Sequence, residues 1–201
     1  MAHTEQGNMS GDQALEKLLD GNRRYVDAMQ EYPNQTRERR NELKNGQVPF
    51  AVVLGCSDSR VPPEIIFDQG LGDLFVVRVA GNVMDNMALG SIEYAVSHLK
   101  TPLVVVLGHS QCGAVTETLS SHGPAKGQMG RLAEAIQPAV AQVTDQPGNK
   151  VSNTAKVNAK MVAHRLRTSK PILSEAVAAG ELTVAAAYYE LSTGAVELLD
   201  S

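Results

Sequence analysis

Phe50-Ala51-Val52-Val53-Leu54-Gly55-Cys56-Ser57-Asp58-Ser59-Arg60 opens with five apolar residues in succession and closes on polar and ionisable ones. The run 50–54 is short, continuous and rich in branched side chains, which marks a strand buried on both faces. Leu74 to Val79 repeats that character, and so does Leu103 to Leu107. Between those two, Leu89, Ile92, Tyr94, Ala95, Val96 and Leu99 recur at helical intervals, so Met87 to Leu99 reads as a crossover helix. A short helix is expected after Gly108, and longer ones over 130–143 and 151–167. Leu182 to Tyr188 reads as a further strand, with Ala195 to Leu199 expected to pair with it across Ser192-Thr193-Gly194. The pattern predicts one α/β domain with a mostly parallel central sheet: four parallel strands plus an antiparallel edge strand, flanked by helices.

Upstream, residues 1–46 are expected to form a helical arm on a core of residues 47–201. Leu15, Leu18, Leu19, Tyr25, Val26 and Met29 fall at helical spacing between Gln13 and Met29, and Gly21 is the point where that helix is expected to break. Gln35 to Asn45 also reads as helical and stops at Gly46. Its basic residues Arg37, Arg39 and Arg40 alternate with Glu38 and Glu42, the pattern of a solvated, salt-bridged face. Neither segment carries enough apolar surface to stand alone. The arm is therefore expected to pack on the core or on a partner subunit.

A formal charge of −4 gives no electrostatic case for nucleic acid or an anionic membrane. No apolar stretch reaches the roughly 18 residues a membrane span requires. Residues 1–11 are polar and lack the apolar region of a secretory signal, so a cytoplasmic protein is expected. Only two cysteines occur, Cys56 and Cys112, and a reducing compartment keeps both as thiols.

Ligands of open parallel sheets bind beyond the carboxyl ends of the strands. Two segments occupy that place: Gly55 to Arg60, and Gly108-His109-Ser110-Gln111-Cys112-Gly113. They hold both cysteines and one of five histidines. Singly, a strand-end cysteine is a small apolar residue and a turn histidine a hydrogen-bonding group. If the strands adjoin, however, two thiolates and an imidazole converge, a donor set suited to zinc. Three protein ligands leave the fourth position open, as in catalytic sites. A Cys56–Cys112 disulfide is the geometric alternative, which a reducing compartment disfavours. In an extended segment Cys56, Asp58 and Arg60 share a face, and a buried carboxylate–guanidinium pair stays ionised. Such a pair either stiffens a loop or, beside a metal, orients a water.

Gly108 to Cys112 also approaches the Gly-x-Ser-x-Gly turn of serine hydrolases, with Ser110 as nucleophile. Cys112 stands where that turn needs glycine, and the available partners Asp145 and His164 carry no distinguishing context. Gly70-Leu71-Gly72 precedes a strand and lacks a third glycine, which excludes a nucleotide-binding loop.

Cys56-Ser57-Asp58-Ser59-Arg60 followed by Gly108-His109-Ser110-Gln111-Cys112-Gly113 resembles the signature of the β-class carbonic anhydrases. The likeness runs from about Leu15 to Leu191 and includes Gly21-Asn22-Arg23-Arg24-Tyr25 and Ile92-Glu93-Tyr94-Ala95-Val96. It implies one Zn2+ per chain on Cys56, His109 and Cys112, with Asp58 and Arg60 as the catalytic dyad. The implied reaction is reversible hydration of carbon dioxide to bicarbonate by a zinc-bound hydroxide. A closed form in which Asp58 takes the fourth metal position is also implied. Gln47 matches a glutamine that bonds substrate or bicarbonate, Phe75 and Tyr94 match pocket-lining positions, and Gly113 offers a backbone donor. The family forms homodimers or dimers of dimers, with N-terminal helices reaching over the partner. Some relatives instead hydrolyse carbonyl sulfide or carbon disulfide, and a non-catalytic zinc scaffold is the third reading. One subset holds inhibitory bicarbonate with a Trp where this chain has Val53, although Arg78 matches that subset's arginine. Ala80 replaces a larger aliphatic, which implies a roomier pocket. His122, after the second motif, reads as an exposed loop histidine rather than a proton shuttle.

Overall fold

The computed structural model describes residues 9–120 and 127–200; His122 lies outside them. The hydrophobic run read from the sequence becomes β1 (Ala51–Gly55), every residue of which is buried. It is followed by β2 (Leu74–Arg78), β3 (Leu103–His109), β4 (Thr183–Tyr189) and β5 (Val196–Leu199). The spatial order is β2-β1-β3-β4-β5. β1 to β4 are parallel and β5 runs antiparallel to β4. The fold is therefore the expected single α/β sheet with one antiparallel edge pair.

Alternation along β1 and β3 divides the core. Val53, Val105 and Leu107 pack on one face with Leu18 and Ile136. Val52, Leu54, Val104 and Val106 pack on the other with Ile92, Val162 and Leu166. The helices that supply these residues are α1 (Gly11–Val26), α4 (Asn86–Leu99), α6 (Met129–Val143) and α7 (Lys150–Arg167). Between them lie α2 (Arg37–Glu42), α3 (Pro63–Ile66) and α5 (Gly113–Ser120), and α8 (Ile172–Ala178) follows α7. α3 and α8 were not anticipated, because four and seven residues are too few to show a helical period. None of the described helices is long and apolar enough to cross a membrane.

Gly21 does not break α1. The helix starts at a capping box between Ser10 and Gln13 and runs unbroken to Val26. A Cβ on Gly21 would lie 1.8 Å from the carbonyl oxygen of Phe67, so glycine serves close packing against α3 rather than a bend. Ala14 and Leu18 of the same helix are fully buried in this chain's own core. Lys17 lies over the Phe50 ring, 4.2 Å from its centroid.

The basic face of α2 is not wholly solvated either. Arg39 is buried, donates from Nε to the carbonyl of Leu71 and lies 3.7 Å from the fully buried carboxylate of Asp73. A buried carboxylate needs charged and hydrogen-bonding partners, and Asn34 and the Gly70 N–H are among those of Asp73. Asp68 plays the same part for the chain between α1 and α2. It accepts from Arg24 Nε at 2.7 Å and from the N–H groups of Glu31 and Tyr32. Two buried acids thus tie the arm to the sheet.

The direction of chain winding reverses at β1, whose neighbours β2 and β3 lie on opposite sides. A crevice opens beyond the carboxyl ends of strands at such a switch point. Gly55 and Leu107 are register partners there, so the segments after β1 and β3 meet.

Candidate metal centre

Cys56 follows β1 directly, His109 ends β3, and Cys112 immediately precedes α5. Their three ligand atoms lie within 4.8 Å of one another, and all three residues are buried. The two Sγ atoms are 4.0 Å apart. Two thiolates on one tetrahedral zinc, with bonds of roughly 2.3 Å, stand roughly 3.8 Å apart, so the pocket needs almost no rearrangement. A disulfide would require the sulfurs to close to about 2.05 Å, and both cysteines are free thiols.

His109 completes the fit. Its Nδ1 lies 2.8 Å from the carbonyl oxygen of Ser110 and so carries the hydrogen. That leaves Nε2 as a bare lone pair, buried without a hydrogen-bond partner. An orphaned acceptor beside two thiols is costly unless a cation takes it up.

The surroundings favour thiolate at Cys56. The Cys112 thiol donates to it and, against the opposing effect of burial, the N–H groups of Asp58 and Gly81 add to this, so Cys56 is held below the usual thiol range. Cys112 is pushed up, chiefly because its proton is the one shared with Cys56. The Gly81 N–H lies 3.2 Å from Cys56 Sγ, at a φ of 68° that glycine adopts without strain.

Asp58 and Arg60 meet through a turn rather than through the extended segment expected. The Val61 N–H bonds to the Asp58 carbonyl, and the Arg60 N–H bonds to Asp58 Oδ1, closing the chain on itself. Arg60 then grips the carboxylate with two parallel bonds, Nε to Oδ1 at 2.9 Å and Nη2 to Oδ2 at 2.7 Å. Its Nη2 also reaches the Gln111 carbonyl at 3.2 Å and so bridges the two ligand segments. The pair is not buried as expected, for the side chains of Asp58 and Arg60 are 16 % and 49 % exposed in the single chain. The hydrogen bonds from the Arg60 guanidinium, assisted by its N–H, hold Asp58 at about 2 against partial burial. Both oxygens of Asp58 face the guanidinium, and the cluster of metal-ligating groups comprises Cys56, His109 and Cys112.

Two contributions go beyond the sequence reading, which gave Arg78 only as a match to the bicarbonate-holding subset and did not single out Gly81. Arg78, at the end of β2, donates to the carbonyls of Cys56 at 2.9 Å and Asp58 at 2.6 Å. Gly81 follows in the next turn. Both lie beyond the carboxyl end of a strand flanking the crevice, and that rule applied to β2 would have found them. Val53, where one subset of relatives carries Trp, is fully buried in the core.

The remaining candidates are placed elsewhere in the chain. Gln47 is exposed at the amino end of β1. Phe75 pairs with Val52, four residues before Cys56, or about 13 Å along the strand. It packs on the α4 face of the sheet, whereas Cys56 and Cys112 belong to the opposite cluster. Tyr94 is half exposed, with its ring centroid 6.3 Å from that of Phe75. Gly113 opens α5, beside the cluster. Ser110 is no activated nucleophile: its hydroxyl donates to Glu190, while Asp145 and His164 are exposed on the surface.

Three candidate ligands, where closed structural sites usually supply four, are the donor set of a catalytic metal site. The carbonic anhydrase family model matches residues 51–196. A carbonic anhydrase of Mycolicibacterium smegmatis is 43 % identical over 188 residues, 92 % of this chain and 91 % of its own length. Carbonic anhydrase 2 of Mycobacterium tuberculosis is 40 % identical over 190 residues, covering 93 % and 92 %. A β-carbonic anhydrase of Sordaria macrospora superposes with a TM-score of 0.75 at 29 % identity, over 81 % of this chain and 86 % of its own. The chain belongs to the carbonic anhydrase family, in its β class.

Proposed function

We propose that this chain interconverts carbon dioxide and bicarbonate, with one zinc per chain held by Cys56, His109 and Cys112. The observation that carries the reading is the orphaned Nε2 of His109 facing two thiols, with an ionised carboxylate beside the open side. Bound there, zinc would lower the pKa of a coordinated water to about 7 and make it nucleophilic at neutral pH. The protein's own groups do the rest. A carboxylate held at about 2 stays ionised and is a poor proton store, so Asp58 accepts from and orients an incoming O–H rather than carrying its proton away. Arg60 keeps Asp58 ionised and turned from the metal, which supports the open state over the closed one. Arg78 fixes the carbonyls of Cys56 and Asp58 and hence the spacing between ligand and acceptor. A structural scaffold site would have no use for the Asp58–Arg60 pair at the crevice mouth.

Gln47, Phe75 and Tyr94 serve the pocket from a second copy of the chain, while Gly113 serves it from its own. Support comes from β2, an edge strand whose apolar Leu74, Phe75, Val76 and Val77 are only partly buried in one chain. The Sordaria macrospora relative is a tetramer. A homodimer or dimer of dimers is accordingly expected to sediment at two or four times 21.5 kDa, and a monomer at working concentration would remove the shared pocket. Removing the arm would test folding instead, because Ala14 and Leu18 belong to this chain's own core. A cytoplasmic location suits two metal-binding thiols.

Substrate choice is tested by measuring carbon dioxide hydration and carbonyl sulfide hydrolysis on one zinc-loaded preparation. Hydration is expected to exceed hydrolysis by at least about 100-fold, the discrimination that roughly 3 kcal/mol of differential transition-state binding provides. Faster hydrolysis would assign the site to carbonyl sulfide.

A further inference from the structure

His109 and Cys112 are joined by two residues, and the second of them, Gln111, sits at a φ of 51°. That left-handed conformation costs a non-glycine residue about 1 kcal/mol or more. Just before this turn, the Ser110 carbonyl lies 2.8 Å from Nδ1 of the preceding histidine. An isolated strand end would relax out of this arrangement. Something must hold Ser110.

The holding groups come from the end of β4 and the turn beyond it, some 80 residues away in sequence. The Ser110 N–H donates to the Tyr189 carbonyl at 2.9 Å, extending the β3–β4 ladder by one rung. The Ser110 hydroxyl donates to Glu190 Oε1 at 2.9 Å and accepts from the Leu191 N–H at 2.9 Å. Glu190 is itself fixed, since Oε1 also accepts from the N–H and hydroxyl of Ser192. The proposed chemistry makes no other use of this half-buried carboxylate.

We propose that Glu190 is a positioning residue for the metal-binding imidazole, acting through Ser110. By locking the Ser110 hydroxyl it fixes the carbonyl that receives the Nδ1 hydrogen, and thereby keeps Nε2 as lone pair and aims it at the metal position. Metal-ligating histidines depend on such outer partners, and losing one costs about 10- to 100-fold in metal affinity. The inference rests on the zinc reading, and the test separates the two.

Metal-free wild type, Glu190→Ala, Ser110→Ala and Glu190→Gln are titrated with Zn2+ against a chromophoric chelator, and their Co2+ forms are compared by visible absorption. Wild type that binds no zinc would sink the metal reading itself. Given binding, Glu190→Ala and Ser110→Ala are expected to weaken zinc by about 10- to 100-fold and to shift the cobalt bands. Glu190→Gln, which keeps an acceptor oxygen for Ser110, should recover most of that loss. A residue that merely braces the turn 190–195 would lower the melting temperature of the metal-free protein and leave both metal readouts alone. Zinc affinities for both alanine variants within twofold of wild type, with unchanged cobalt spectra, would overturn the proposal. Should Glu190→Ala fail to fold, Ser110→Ala decides, because it removes a single hydroxyl.

Discussion

Cys112→Ala is expected to yield a folded protein that loses zinc and, with it, essentially all carbon dioxide hydration. The side chain is buried, but it heads α5 and its removal deletes only one sulfur from the core. Folding should therefore survive. The metal should not. Apparent zinc binding free energies of about 10–16 kcal/mol over four positions assign about 2.5–4 kcal/mol to each, so affinity falls by about 60- to 800-fold. The Cys56 thiolate also loses the thiol that stabilises it most. Metal analysis after gel filtration, paired with circular dichroism and a rate assay, reads all three consequences. A variant that keeps stoichiometric zinc and wild-type turnover would show that Cys112 is not a ligand.

Asp58→Asn has the opposite profile, with zinc retained and turnover lost. Asparagine preserves the shape of the turn, because its oxygen can still accept from the Arg60 N–H. It removes the charge and sets an amide N–H against Arg60 Nη2, which now donates to Oδ2. A positioned acid–base group is worth about 100- to 10,000-fold, and the loss in kcat is expected at the lower end because the role is orientation. The pH dependence follows from the sign of the shift. Asp58 is held at about 2, so it is ionised well below neutrality and throughout any practical assay. The deficit of the variant should then be the same at pH 6.5 and pH 9. Turnover equal to wild type would remove Asp58 from the mechanism, and a deficit that vanishes at acid pH would show a titrating role instead.

These expectations rest on features of unequal legibility. The central strands were readable because parallel strands covered on both faces leave runs such as Val52-Val53-Leu54 and Val104-Val105-Val106. The candidate metal cluster was readable because two cysteines and a histidine sit at the ends of two such runs. Gly21 misled because propensity concerns a helix alone, and here the carbonyl of Phe67 occupies the space a side chain would need. Arg39 looked solvated because the charge pattern of α2 says nothing of Asp73, buried 34 residues later. The Asp58–Arg60 contact was anticipated but its shape was not, since an Asx-type turn and a strand bring residues two apart together in different ways. The bonds that Arg78 and Glu190 make were invisible for a common reason, although Arg78 itself was named as a match to the bicarbonate-holding subset. Each works by bonding backbone or hydroxyl groups 20 or more residues distant, and such partners leave no local pattern. Phe75 and Tyr94 were expected to line the pocket; their rings lie near each other, but in one chain they stand on the far face and free edge of the sheet from the metal cluster.

The most direct test of the whole account is stopped-flow carbon dioxide hydration across pH, on protein whose zinc content is measured in the same preparation. The account predicts one zinc per chain and hydration that is already present at neutral pH and rises toward alkaline pH as the nucleophile forms. Full zinc occupancy with no hydration at any pH, or a folded protein that takes up no zinc, would contradict it.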